Sequence, residues 1–317
     1  MTASKNHFTG AMLGHALGDA LGVPFEGLPA VTIIRDLGGA KRFITQLPIE
    51  RLHYSDDTQM MIGVAESLIE NGRIDLDHLA GRFVENYESW RGYGRGAAHL
   101  LEKARQGEPW REMRAFVFPD GSYGNGAAMR ATPLGLFFHH DEAKLDTETT
   151  QAAVVTHTHP LGIEGAVIFA MAVALAVRSA DEPLRQAEFF NQLLTHATHE
   201  EFQWQLRTAA AMDLDNPQNF GSSLPAHRSV VSAICCFAQY PDSFTDAVSR
   251  AINLGDDTDT VAGMTGALVG ARCGPTALPR EAFRLLENGR KGRQFIEELA
   301  SQLHDKWAAQ FAVRNFG

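Results

Sequence analysis

The chain is poor in the residues that staple or anchor a protein. Its 317 residues include three cysteines, two adjacent (Cys235, Cys236) and one apart (Cys273), and no CxxC. That excludes a disulfide framework and a thiolate zinc site, and it points to a reducing compartment. No uninterrupted apolar run reaches the roughly 18 residues of a membrane span. The longest candidate, residues 166–177, has the length of a buried helix. Residues 1–9 lack the basic-then-apolar layout of a leader, so the cytoplasm is the expected location. Positive charge is also scarce. Lys+Arg 28 against Asp+Glu 38 leaves −10, with a pI near 5.7, which lacks the basic footprint of a nucleic-acid binder. Neither a nucleic acid nor a membrane is an expected partner.

What is present is globular: 44% of residues are hydrophobic and 21% charged. Apolar residues recur at spacings of three and four through Leu76, Leu79, Ala80, Phe83, Val84 and Tyr87. They do so again through Met60, Met61, Val64, Ala65, Leu68 and Ile69, closed by Asn71-Gly72. Residues 161–177, 184–197, 200–212, 229–238 and 283–303 carry the same signal. Period-two strands with hairpin turns are lacking, residues 31–34 being the best short exception. The expectation is an all-α fold of about a dozen helices. The Pro/Gly-rich stretches 22–29, 118–126 and 216–225 are interleaved with apolar residues, so they read as loops within one domain over 1–317.

Two helices are rich in small residues. Gly10, Gly14, Gly18 and Gly22 fall on one face of an N-terminal helix, and Ala262, Gly266 and Gly270 repeat the spacing later. Each interior glycine costs a helix on the order of 1 kcal/mol against alanine. Close approach of the two helices in the centre of the fold would compensate.

Two acidic clusters carry most of the chemical information. Ser55-Asp56-Asp57-Thr58 precedes a helix beginning near Gln59, and Gly255-Asp256-Asp257-Thr258-Asp259-Thr260 precedes one from Val261. Capping explains part of this, because carboxylates at a helix N-terminus gain about 0.3–1 kcal/mol. Three aspartates within four residues exceed what a cap needs. Like charges 4 Å apart repel by roughly 1 kcal/mol in water and about 4 at an effective dielectric of 20. Asp, Ser and Thr supply hard oxygen donors, which suit Mg²⁺, Ca²⁺ or Mn²⁺. The pattern lacks the terminal Glu of an EF-hand loop.

With Gly18-Asp19-Ala20-Leu21-Gly22, Gly124-Asn125-Gly126-Ala127-Ala128-Met129-Arg130 and Thr156-His157 in order between and around these clusters, the chain resembles the ADP-ribosylglycohydrolase family. That family includes the dinitrogenase-reductase-activating glycohydrolase and the ADP-ribosyl-acceptor hydrolases. The motifs run from Gly10 to about Gly270. The resemblance implies a single orthogonal multi-helix domain with two divalent cations, Mg²⁺ or Mn²⁺, at the bottom of an ADP-ribose cleft. It assigns the metals to Ser55, Asp56 and Asp57 and to Asp257, Asp259 and Thr260. Asp56 and Asp57 are also the expected general bases, and Glu26 the acid or gate at the cleft mouth. Asp19 belongs with the cleft as a support near the metals. The loop Gly121, Ser122, Tyr123, Gly124, Asn125, Gly126 is expected to hold the diphosphate and distal ribose at the start of a helix from Ala127. Gly94 and Gly96 would lie near the phosphates, with Met129 and His157 also in the substrate set; Arg95 between the glycines reads first as an exposed arginine and second as added charge beside the phosphates. Where many relatives carry Gly-Gly-Asp-x-Asp-Thr, this chain has Asp256 as the second residue, either a group beside the metals or a solvated carboxylate.

His157 and His159 raise a zinc reading, which lacks further Cys/His ligands. Pro160 fits the first turn of a helix capped by Thr158 or His159. The expected activity is metal-dependent cleavage of the bond between ADP-ribose and a protein side chain, arginine before serine, releasing ADP-ribose. A non-catalytic ADP-ribose binder of the same fold and a hydrolase of small ADP-ribose derivatives are the alternatives, and a monomer is favoured.

Overall fold

A computed structural model describes residues 3–180, 182–213 and 220–314; residues 216–219 of the expected loop at 216–225 lie outside it. In chain order the first half forms α1 (Lys5–Gly22), α2 (Ala40–Gln46), α3 (Asp56–Asn71), α4 (Leu76–Asn86), α5 (Arg95–Arg105), α6 (Trp110–Val117), α7 (Thr132–Phe137) and α8 (Glu142–Ala153). The second half continues with α9 (Pro160–Arg178), α10 (Gln186–Leu194), α11 (Glu200–Ala211), α12 (Ala226–Gln239), α13 (Phe244–Ile252), α14 (Thr258–Cys273), α15 (Arg280–Leu285) and α16 (Arg293–Arg314). Short helical turns fill several of the gaps.

The two small-residue helices pack on each other, backbone against backbone. A Cβ added at Gly10 would lie 2.3 Å from the Gly270 oxygen, one at Gly14 2.3 Å from that of Gly266, and one at Gly18 2.2 Å from that of Ala262. At the end of this contact a Cβ on Gly22 would lie 2.5 Å from the Asp259 Cα, so α1 and α14 run antiparallel and the C-terminus of α1 abuts the second acidic turn. Helix α9 packs on α7, α8, α12 and α14. Its 19 residues are long and apolar enough to cross a membrane, but most of them are buried inside the protein. All three cysteines are free, and Cys235 and Cys236 are core residues.

Two readings of the sequence are corrected. Among the described residues there are isolated β-bridges and no strand. Residues 31–34 enter a π-helical turn, Thr32–Asp36, because the Pro29 carbonyl takes the N–H groups of Thr32 (2.9 Å) and Ile33 (3.3 Å) locally. Only Ile33 of that run is buried; Val31 and Ile34 face solvent. The helix read over 283–303 is two, α15 and α16. Between them Leu52 donates to the Leu285 carbonyl at 2.9 Å and Glu287 donates to that of Leu52 at 2.9 Å, which removes those groups from a helical ladder.

Candidate functional site

Both acidic turns are helix N-termini, and each begins its helix earlier than the pattern suggested. Ser55 is the N-cap of α3, its hydroxyl accepting the Asp57 N–H at 3.2 Å. Beneath it lies Asp19, reaching up from α1 and fully buried. Its Oδ1 accepts the Ser55 N–H at 2.9 Å. Its Oδ2 accepts the Thr58 N–H at 3.2 Å and the Thr58 hydroxyl at 2.5 Å. Burial raises the Asp19 carboxyl to about 6, against the pull of these donors. With both oxygens engaged, Asp19 props the first turn from below.

The second turn is bound on three sides. Thr258 donates its hydroxyl to the Gly22 carbonyl at 2.9 Å, and the Asp257 N–H meets the Ser222 carbonyl at 3.1 Å. Asn125 Nδ2 donates to Asp257 Oδ2 at 2.6 Å and to the Ser229 hydroxyl at 3.0 Å. Asp259 Oδ1 accepts the Thr260 N–H at 2.9 Å. The loop carrying Asn125 and the helix carrying Asp257 therefore form one wall.

The two turns lie far apart in sequence and act on each other directly. Burial, then Asp19, pushes Asp56 up to about 8. Burial, then Asp259 and Asp56, holds Asp57 well above the carboxylate range. Asp259 is raised by burial and then by Asp257. Asp257 is raised by burial, with Asn125 pulling back. Glu26 is exposed on the rim but still raised, by lost hydration first and by Asp257 second. Among the described residues no group of three or more Asp, Glu, His or Cys side chains is placed so as to hold a metal ion. The donor set nonetheless fits a hard divalent cation. It is all oxygen, and among the described residues Asp57 Oδ2 is buried with no hydrogen-bond partner, a cost that a bound cation would offset.

Asp256 is explained by its backbone. It adopts φ 59°, the left-handed region, and its side chain is exposed. Its carbonyl accepts the Gly27 N–H at 2.7 Å and its N–H meets the Leu28 carbonyl at 2.9 Å, which ties the Glu26 loop to the second turn. A side chain in this region costs on the order of 1 kcal/mol, less for Asp than for most. Asp256→Gly is expected to raise stability to denaturant by up to about 1 kcal/mol and leave hydrolysis unchanged; a fall in turnover would show that the carboxylate takes part.

The remaining residues separate into groups. The helix expected from Ala127 begins only at Thr132, and residues 125–127 form one tight turn. The Asn125 carbonyl takes the N–H groups of Ala128 (2.7 Å) and Met129 (2.9 Å), and Pro133 sets the later start. His157 lies under this turn: a Cβ on Gly126 would lie 2.8 Å from its Cε1. Its Nδ1 meets the Thr156 hydroxyl at 2.7 Å, and burial lowers its pKa to about 3, so the ring is neutral. Ser122 accepts the Gly124 N–H at 3.3 Å, and Met129 is buried. Tyr123 is exposed, with its ring edge-on to His159 at 5.8 Å, and Gly121 presses on the His159 backbone. His159 caps α9, accepting the Leu161 N–H at 3.2 Å. Gly94 caps α5 in open space, and Gly96 packs against Phe118. Arg95 is exposed. Arg91 is a buried cation on this side that the sequence reading passed over, and Arg130, at the end of the Asn125 motif, is another buried cation. The Arg91 signal was a position between Trp90 and Tyr93 in Trp-Arg-Gly-Tyr.

The ADP-ribosylglycohydrolase family model matches residues 1–312. ADP-ribosylhydrolase ARH3 of Xenopus tropicalis is 30% identical over 353 residues, covering 96% of this chain and 97% of that protein. The ARH3 of Homo sapiens is 28% identical, covering 95% and 93%. A solved structure described as an ADP-ribosylglycohydrolase-related protein complex superposes with a TM-score of 0.70 at 27% identity, covering 96% of this chain and 98% of that one.

Proposed function

The chain belongs to the ADP-ribosylglycohydrolase family, and from that premise we propose that it frees ADP-ribose from a protein side chain with two divalent cations, Mg²⁺ or Mn²⁺. The observation that carries the reading is the unpartnered Asp57 Oδ2 inside a ring of mutually repelling carboxylates. Ser55, Asp56, Asp57, Asp257, Asp259 and Thr260 would hold the ions. When bound, such ions supply charge that fixes ribose hydroxyls and favours deprotonation of water near neutral pH. Asp56 or Asp57 takes the proton of the attacking water. Asn125 keeps Asp257 in place, and Asp19 keeps Ser55 in place. The turn at Gly121–Gly126 lets backbone approach the diphosphate, with Tyr123 offered to a base and His157 and Met129 beneath. Gly94 and Gly96 complete the proposed phosphate side, and the protein acts as a monomer.

Arginine is the acceptor proposed first. Glu26 supports serine as the second, because a serine oxygen must be protonated to leave, and a rim carboxyl with a raised pKa holds that proton at higher pH. The deciding experiment is product analysis on arginine- and serine-linked ADP-ribosyl peptides, with and without chelator. Intact ADP-ribose released only in the presence of metal is the expected result. Binding without release would instead mean a non-catalytic binder, and turnover confined to free derivatives a small-molecule hydrolase.

A further inference from the structure

A guanidinium is buried beside the first acidic turn and takes no part in the chemistry above. Arg91 ends the single turn Ser89–Arg91, and its side chain is 5% exposed. It lies between two rings, its Cζ 3.8 Å from the centroid of Tyr54 and 3.9 Å from that of Trp90. Nη1 donates to the Tyr54 carbonyl at 2.7 Å and to Glu287 Oε1, and Nη2 donates to Glu287 Oε2 at 3.2 Å. Nε donates to Glu88 at 3.1 Å. Glu287 stands in the break between α15 and α16, and its Oε1 in turn accepts the Tyr54 N–H at 3.1 Å. One ion pair thus holds both backbone polar groups of Tyr54, the residue before Ser55. The next residue along, Gly92, has φ 86°, and a Cβ there would lie 4.0 Å from Asp56 Oδ1.

We propose that the Arg91–Glu287 pair positions the first acidic turn, fixing Tyr54 so that Ser55, Asp56 and Asp57 present their oxygens to a divalent cation. This rests on the metal reading above. Stability alone is a weak reason for such a pair, because apolar residues of similar size commonly replace a buried ion pair at little or no cost. Orientation is a stronger one. Asp19 holds the turn from within at Ser55 and Thr58, and the pair holds it from the outer side at Tyr54, so the turn is fastened at both sides. The residues behind metal ligands typically change affinity 10–100-fold when altered.

The test is Mn²⁺ binding by calorimetry on the full chain, with unfolding measured separately in chelator. Arg91→Lys keeps a cation for Glu287 and loses the two-pronged grip, while the double variant Arg91→Met/Glu287→Met leaves no buried unpaired charge. Each is expected to bind Mn²⁺ at least tenfold more weakly than the wild type. Arg272→Lys, at another buried arginine on the far end of α14 that pairs with the exposed Asp242, is expected to change unfolding and leave Mn²⁺ affinity alone. Wild-type affinity in both Arg91 variants would overturn the proposal and leave the metal reading standing. No Mn²⁺ binding by the wild type would overturn both. If the double variant does not fold, Arg91→Lys decides.

Discussion

Asp57→Asn is expected to abolish turnover while making the metal-free protein harder to unfold. The two effects share one cause. Asp57 is buried at 2% exposure, one of its oxygens has no partner, and burial with Asp259 and Asp56 holds its pKa well above the ordinary range. A group whose pKa is higher in the folded state favours folding most below its unfolded value and loses that contribution as pH rises. The carboxyls here behave alike: burial pushes Asp19 up to about 6, and burial with Asp19 pushes Asp56 up to about 8. In chelator, wild-type stability should therefore fall as pH rises from about 4 through 8. Asparagine keeps the shape and removes one charge, so the variant should lose less over the same window. Activity is the opposite case. The variant gives up an ionic donor to the cations and a proton acceptor, and loss of positioned acid–base catalysis alone costs about 10²–10⁴-fold. The checks are denaturant curves in chelator from pH 5 to 8, and ADP-ribose release in Mn²⁺. Wild-type turnover in Asp57→Asn would remove the site from the reaction. Equal sensitivity to pH would remove the electrostatic account of the ring.

Much of this was legible in the chain, for unequal reasons. The small-residue periodicity of α1 and α14 announced a close contact, because four glycines at helical spacing have few other uses. The acidic turns announced a shared charge problem. What hid was everything set by a partner distant in sequence. Arg91 is a polar residue in a short turn, and its importance comes from Glu287, which arrives from a break in what reads as one helix. That break is invisible locally, since the residues around it have helical spacing and the bonds to Leu52 end it. Residues 31–34 misled in the same way: their β-branched residues gave the best short strand signal, but among the described residues there is no second strand to pair with. Asp256 was ambiguous for want of its φ. In the fold its backbone explains the position, and its carboxylate faces water.

Gly14→Ala and Gly81→Ala are expected to change stability in opposite directions, though both add one methyl group to a helix interior. By intrinsic propensity each should stabilise its helix by up to about 1 kcal/mol. Gly81 is exposed on α4, and a Cβ there meets nothing within 4 Å, so it should show that gain. At Gly14 the same carbon would lie 2.3 Å from the Gly266 oxygen and 3.1 Å from its carbonyl carbon. No flexible side chain stands in the way; the obstacle is the backbone of α14. The helices must separate by about 1 Å to restore contact distance, and both are buried along this length, so the loss is spread over many packed atoms. Overpacking of a close-packed core typically costs 1–3 kcal/mol, and a clash with backbone falls at or beyond the upper end. Separation also lifts Gly22 from Asp259 and loosens the Thr258 bond to the Gly22 carbonyl, so Gly14→Ala should weaken Mn²⁺ binding from about 12 Å away, given 1.5 Å of rise per residue between Gly14 and Gly22. Urea unfolding and Mn²⁺ calorimetry on the two variants check this. A Gly14→Ala protein as stable as Gly81→Ala would mean that the helices do not touch as described, and the second acidic turn would lose the support that brings it to the first.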